Sequence, residues 1–104
     1  MNKSKNCCNI DDKRDLSQLE STLKLLSVQT RLKLLLILNG KEHCVCDLIP
    51  HTDYSQSLIS HHLGDLENFG LIKKNRKGKF NYYRLTEKGV HLVKNLEILS
   101  KESL

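Results

Sequence analysis

Leucines recur at helical spacing along the first third of the chain, and the places where that rhythm breaks divide the sequence into seven elements. Leu16, Leu19, Leu23 and Leu26 fall on one stripe, predicting an amphipathic first helix that begins near Asp15. Leu32 and Leu34 to Leu38 follow, apolar nearly all round, as suits a central helix packed on several sides; Ser27 divides the two helices and Asn39-Gly40 supplies a stop. A short third helix fits Glu42 to Ile49, closed by Pro50, the only proline. His51 to Tyr54 reads as a turn, with Asp53 capping a fourth helix over about Ser55 to Asn68 and Gln56 in a weak capping-box position.

That fourth helix is two-faced. Ile59, Leu63, Leu66 and Phe69 share one side, while Ser55, Gln56, Ser57, Ser60 and His61 form a short polar edge on the other. Gly70 ends it, and residues 71–85 then read as two strands around a turn at Arg76-Lys77-Gly78-Lys79. Thr86 can cap a last helix, where Val90, Val93, Leu96 and Leu99 make an apolar stripe widened by Leu92 and Ile98. The predicted fold is mainly α with a β-hairpin wing, in the order α-α-α-α-β-β-α. Residues 15–104 form one domain behind a polar tail, residues 1–14, whose order is conditional on binding.

Two short helices joined by a tight turn, the second carrying a polar edge, form a helix-turn-helix pattern, whose second helix enters the DNA major groove. A polar helix edge alone is equally well a solvated face; charge decides between them. The chain carries 17 Lys and Arg against 12 Asp and Glu, a net charge of +5. The hairpin concentrates that excess: Lys73, Lys74, Arg76, Lys77, Lys79 and Arg84 are basic, and residues 71–85 contain no acid. A one-sign hairpin beside a helix-turn-helix suits a grip on the phosphate backbone.

With only five aromatic residues and no tryptophan, the core of a 104-residue chain is modest. The first and last helices therefore carry apolar stripes suited to a two-fold partner, through Leu16, Leu19, Leu23, Val90, Val93, Leu96 and Leu99. No membrane-length apolar window or secretory h-region appears, so a cytoplasmic location is expected. No glycine-rich phosphate loop is present and the histidines lie on or beside the DNA-reading motif, which argues against an enzyme.

The four cysteines stand as Cys7-Cys8 in the tail and Cys44-x-Cys46 at the third helix. In a reducing compartment such close spacings suit thiols or metal ligands rather than structural disulfides. Residues at i and i+2 point about 200° apart on an ideal helix, so Cys44 and Cys46 can share an ion only over the helix's first turn, where the dipole also favours thiolate.

Three stretches together resemble the ArsR/SmtB family of metal-sensing winged-helix repressors, over roughly residues 20–90. They are Glu42-x-Cys44-Val45-Cys46-Asp47-Leu48, similar to the family's metal box; Ser55-Gln56-Ser57-Leu58-Ile59-Ser60-His61-His62-Leu63, similar to its recognition helix; and the strand end Tyr82-Tyr83-Arg84-Leu85. The resemblance implies a homodimer that holds double-stranded operator DNA when metal-free and releases it when metal binds. Ile49 stands where arsenic-sensing relatives have a third cysteine, so the resemblance points to Cys7 and Cys8 to complete the set, as tail cysteines do in cadmium and lead sensors. Four thiolates suit cadmium or zinc and three suit lead or arsenite. A terminal-helix metal site is not expected: Glu87 and His91 stand at i, i+4, but the later ligand positions hold Ser100 and Ser103. His43 replaces a leucine of the box and reads as a partly exposed histidine. Oxidants or persulfides acting on the same cysteines are the alternative input.

Overall fold

The computed structural model describes residues 14–103, with side chains through Lys101. Cys7, Cys8 and the rest of the tail lie outside the described residues. The elements are α1 (Ser17–Leu26), α2 (Gln29–Ile37), β1 (His43–Cys44), α3 (Val45–Thr52), α4 (Gln56–Asn68), β2 (Ile72–Lys77), β3 (Phe80–Leu85) and α5 (Glu87–Ser103). The strands form one antiparallel sheet in the order β1-β3-β2. Four helices, a hairpin and a last helix are present as expected, with one short strand added.

The core gathers one face from nearly every element. Leu34, Leu35 and Leu38 of the α2 region, Leu48 of α3, Ile59, Leu63 and Leu66 of α4, Leu71 and Ile72 at the start of the hairpin and Val93 of α5 are almost wholly buried. The predicted apolar side of α4 is thus the side that packs. The first-helix stripe divides: Leu26 is buried, whereas Leu16, Leu19 and Leu23 are more than half exposed. No described helix is long and apolar enough to cross a membrane.

Several boundaries differ from the sequence expectation, each for a local reason. Helix α3 starts at Val45 rather than Glu42, because His43 and Cys44 are drawn into the sheet opposite Tyr83 and Tyr82. It also runs through Pro50 to Thr52. Past the proline, the Asp53 N–H donates to the Ile49 carbonyl (3.0 Å) and the Thr52 hydroxyl to the Leu48 carbonyl (2.8 Å), so the last turn stays satisfied. Asp53 closes α3 in the left-handed conformation, φ 60°, instead of capping α4. The α4 cap is Ser55, whose Oγ accepts from the Leu58 N–H at 3.1 Å. Val28, not Ser27, precedes α2; Ser27 ends α1, its hydroxyl donating to the Lys24 carbonyl.

The far end of α4 is fixed more firmly. Gly70 takes φ +77°, and the Gly70 and Leu71 N–H groups close back on the Glu67 and Leu66 carbonyls in a Schellman pattern. The same corner is bound to the start of α5: Thr86 N–H donates to the Leu71 carbonyl (3.0 Å), its hydroxyl to the Gly70 carbonyl (2.6 Å), and Lys88 Nζ to the Phe69 carbonyl (3.1 Å). Thr86 also caps α5 as expected, accepting from Gly89 N–H at 3.1 Å. The C-terminal end of α4 is therefore tied to the start of α5.

Candidate functional site

Cys44 ends β1 and Cys46 lies in the first turn of α3, so the pair straddles a strand-to-helix junction. Cys44 is in extended backbone (φ −87°, ψ 169°), which turns its side chain back over the helix end; its Cα is 5.2 Å from that of Cys46. The two sulfurs are joined in a disulfide, where two free thiols were expected. The physical reason is the break at Cys44: an unbroken helix would send the side chains apart, and this junction brings them together. Cys44 is buried and Cys46 exposed, so the pair reaches from the core to the surface.

Neighbouring polar groups complete the junction. Asp47 Oδ2 accepts the Cys44 N–H at 3.3 Å and lies 3.4 Å from His43 Nδ1. A carboxylate oxygen of Asp47 and the two sulfurs all lie within 4.8 Å of one another. With the disulfide opened, this is a soft donor set with one hard oxygen, suited to thiophilic ions. Asp47 was not singled out from the sequence, although it stands three residues after Cys44 at a first-turn position that faces back over the helix end. His43 is partly exposed, as expected, its side chain 14% open to solvent, held against Asp47 and edge-on to His51.

The residues expected to face DNA are all exposed: Ser55, Gln56, Ser57, Ser60 and His61 on α4, and Lys73, Lys74, Arg76, Lys77 and Lys79 on the hairpin. The hairpin turn is tighter than expected, Gly78-Lys79, with Gly78 at φ +64°. Its cations are not equivalent: Lys77 is paired with Glu42 beside β1 and lies over the Tyr82 ring, Arg76 Nε donates to the Gly78 carbonyl, and Lys79 lies over Phe80. The cysteine pair and the polar α4 edge meet in a cleft of about 320 Å³, whose walls include Cys44 and Cys46, Gln56 and Ser60, and Lys79. Tyr83 stands in the same wall, and its burial raises the phenol's pKa, keeping it protonated.

On α2, one arginine joins three helices. Arg31 of α2 donates from Nε to His62 Nδ1 (3.0 Å), from Nη1 to the Leu25 carbonyl at the end of α1 (3.2 Å), and from Nη2 to Asp65. Burial pushes the His62 pKa below its ordinary value, and the Arg31 charge adds to that shift, so His62 is the neutral acceptor this bond requires. His61, His62 and Asp65 are spaced to hold a cation, but the guanidinium already bonds two of them. Arg31 has no motif around it that reveals this role in the sequence.

The proposed partner-facing residues separate by burial. Leu16, Leu19, Leu23, Val90 and Leu99 are strongly exposed, and Leu96 is half-buried against the core. Val93 is not a partner-facing residue: it has no exposed surface and belongs to the protomer's own core, because the α5 stripe turns inward there against α2 and β3. Glu87 and His91 are exposed and form no metal-ligand cluster among the described residues.

Comparison with known proteins places this geometry among regulators. Residues 29–74 match the sequence profile of a family described as "Bacterial regulatory protein, arsR family". The chain is 33% identical over 84 residues to an arsenical resistance operon repressor of Staphylococcus aureus, covering 80% of this chain and 81% of that protein. It is 36% identical over 84 residues to a Staphylococcus aureus homologue of the cadmium resistance transcriptional regulatory protein CadC, covering 75% of this chain and 69% of that one. Among solved structures, the transcriptional repressor BigR from Xylella fastidiosa superposes with a TM-score of 0.71 at 34% identity, over 79% of this chain and 82% of that chain.

Proposed function

This chain belongs to the ArsR family of bacterial regulatory proteins, DNA-binding repressors and not enzymes, and from that premise we propose that it is a metal-responsive repressor of a resistance operon. It acts as a homodimer through the exposed leucines of α1 and the outer face of α5, with two copies of α4 reading a palindromic operator about 34 Å apart. Gln56, Ser57, Ser60 and His61 face the bases; Ser55 and the hairpin cations Lys73, Lys74, Arg76, Lys77 and Lys79 face phosphates. The effector is a thiophilic metal ion, cadmium, lead, zinc or arsenite, with Cys44 and Cys46 as its ligands at the strand-to-helix junction and Cys7 and Cys8 as its ligands from the N-terminal segment; no organic cofactor is required.

The observation that carries this reading is the shared cleft, in which the cysteine pair stands opposite Gln56, Ser60 and Lys79. Bound, the ion supplies a single centre on which thiolates from tail and junction converge. The chain's own residues do the rest. Four thiolates, from Cys7, Cys8, Cys44 and Cys46, outweigh the charge of a divalent ion and would leave net negative charge beside the edge that must approach phosphates. Cys44 sits on β1, paired to Tyr82 of the hairpin, so a load on its sulfur reaches the wing through the sheet. To move operator occupancy from about 99% to about 1%, the metal must favour the released form by about 5 kcal/mol.

Fluorescence anisotropy of the reduced protein on an operator selected from random duplexes tests this. Cadmium, lead, zinc or arsenite is expected to release the DNA, with the effect lost in Cys44→Ser; no change with any of the four refutes it. The disulfide of the structure is the specific observation favouring a second input, oxidation of the same pair. Release by peroxide or persulfide alone, with reduced protein insensitive to metals, would select that reading.

A further inference from the structure

The hairpin ends in an aromatic ring that the fold leaves half open. Phe80 is 46% exposed and begins β3 directly after the Gly78-Lys79 turn, paired across it with Lys77. The other Phe and Tyr side chains among the described residues, Tyr54, Phe69, Tyr82 and Tyr83, are at least partly covered. A single exposed ring is ordinary on a protein surface, but this one has an unusual setting. Lys77 and Lys79 flank the tip, Lys79 Nζ lies 5.9 Å from the ring centroid, and Gln56 and Ser60 of the polar α4 edge border the same cleft. The tip is also held in one shape. Arg76 Nε donates to the Gly78 carbonyl at 3.1 Å, Gly78 is in the left-handed region, and Lys77 is anchored to Glu42. Cations call for a polyanion and the ring for a flat apolar surface; a DNA duplex offers both, phosphates outside and base faces within.

We propose that Phe80 is a wedge: with α4 in the major groove, the hairpin tip enters the adjoining minor groove and the Phe80 ring slips between two neighbouring base pairs, unstacking them and bending the duplex. The inference rests on the reading of α4 and the hairpin as the DNA-facing surface, and it adds a base contact that charge does not make. Groove dimensions favour it. Two paired strands lie about 4.8 Å apart before their side chains are counted, so a hairpin overfills a minor groove about 6 Å wide unless the groove opens. Unstacking one base step toward the major groove opens it, and an apolar side chain at the tip stabilises the opened step. Pyrimidine-purine steps unstack at least cost, so Phe80 confers a preference for such a step about half a helical turn from the bases that α4 meets. The stiffness of the tip serves the same end, since a mobile ring would fold back on the hairpin rather than part the bases.

The test uses the reduced, metal-free full chain on an operator selected from random duplexes. 2-Aminopurine, which brightens when unstacked, is placed in turn along one strand, and energy transfer between labels at the duplex ends reports bending. Binding is expected to brighten the probe at a pyrimidine-purine step in each half-site and to bend the duplex by at least about 20°. Phe80→Ala is expected to abolish both signals and to weaken binding at least about tenfold, with the slope of log affinity against log salt unchanged because no cation is lost. Phe80→Leu, which keeps an apolar wedge, is expected to keep the bend, and circular dichroism checks that both variants are folded. A flat probe profile, a straight duplex, or signals unchanged in Phe80→Ala overturn the proposal. So does a fall in salt slope with Phe80→Ala, which would trace its effect to displaced lysines. Failure of the DNA-facing reading itself shows separately, as no duplex enriched by the unsubstituted chain.

Discussion

Two glycines inside helices should respond to the same substitution with opposite signs. Replacing a helical glycine by alanine ordinarily stabilises by up to about 1 kcal/mol, since alanine restricts the unfolded chain and favours the helix. At Gly64, mid-α4, an added Cβ would meet nothing within 4 Å, so Gly64→Ala should gain most of that. At Gly89, in the first turn of α5, the added carbon would fall inside the van der Waals sphere of the Leu71 carbonyl oxygen, 3.1 Å from its carbon and 3.4 Å from Leu85 Cβ. The obstacle is backbone, and that backbone is tied to α5 through Thr86, so neither side yields cheaply. Overpacking of this kind costs about 1–3 kcal/mol, and the rigid corner argues for the upper end. After subtracting the helix gain, Gly89→Ala should destabilise by about 2 kcal/mol, leaving the two variants about 3 kcal/mol apart. Urea unfolding followed by far-ultraviolet circular dichroism, at one fixed protein concentration, reads the difference as a midpoint shift of about 1–2 M. If Gly89→Ala stabilises as Gly64→Ala does, the close approach of α5 to Leu71 is wrong.

Removing the three-helix tie by Arg31→Met should cost about 2–3 kcal/mol, a figure for charged hydrogen bonds discounted because Asp65 is a third exposed, and should weaken operator binding at constant fold; unchanged urea midpoints would count against it. His62, with its pKa lowered, stabilises the fold above its unfolded value near 6.5, and that contribution is lost as pH falls through the folded value. Stability curves between pH 7.5 and 5 should therefore slope downward toward acid, and His62→Asn should flatten the slope. On the hairpin, Lys79→Gln should reduce the salt dependence of DNA binding by about two units of log–log slope, one for each subunit of the dimer, whereas Lys77→Gln should change it less because Glu42 already pairs Lys77. Equal slopes for the two variants would refute that ordering.

What could be read from the chain and what could not follow a physical division. Helices α1, α2, α4 and α5 announce themselves because leucine spacing repeats over several turns, and the hairpin because its cations cluster around a glycine turn. Strand β1 has no such signal: two residues show no period, and the strand exists only through pairing with Tyr82 and Tyr83 far along the chain. Pro50 misled for a related reason, since the bonds that carry α3 past it come from Thr52 and Asp53 after the proline. Among the site residues, those with a motif around them, Cys44, Cys46 and the α4 edge, were visible. Arg31 was not, and for Glu42 and Asp47, though they lie in the same motif as the cysteines, the partners were not, because these roles depend on which elements the fold sets side by side. Val93 was read onto an outer stripe because helical spacing fixes which residues share a face but not which neighbour covers it.

The shortest strand limits how this regulator could be retuned. In the proposed function Cys44 supplies part of the effector site, yet its backbone is locked in register with Tyr82, and along a strand each step of one residue reverses the face a side chain occupies. Shifting the first cysteine by one place would therefore carry its sulfur to the opposite side of the sheet, away from Cys46 and from the cleft. The helix side has no such constraint, since Cys46 and Ile49 lie beyond the junction and both border the cleft. A variant with altered effector preference should be sought by changing residues from Val45 onward, with Cys44 left in place as the fixed point from which any new ligand set is measured.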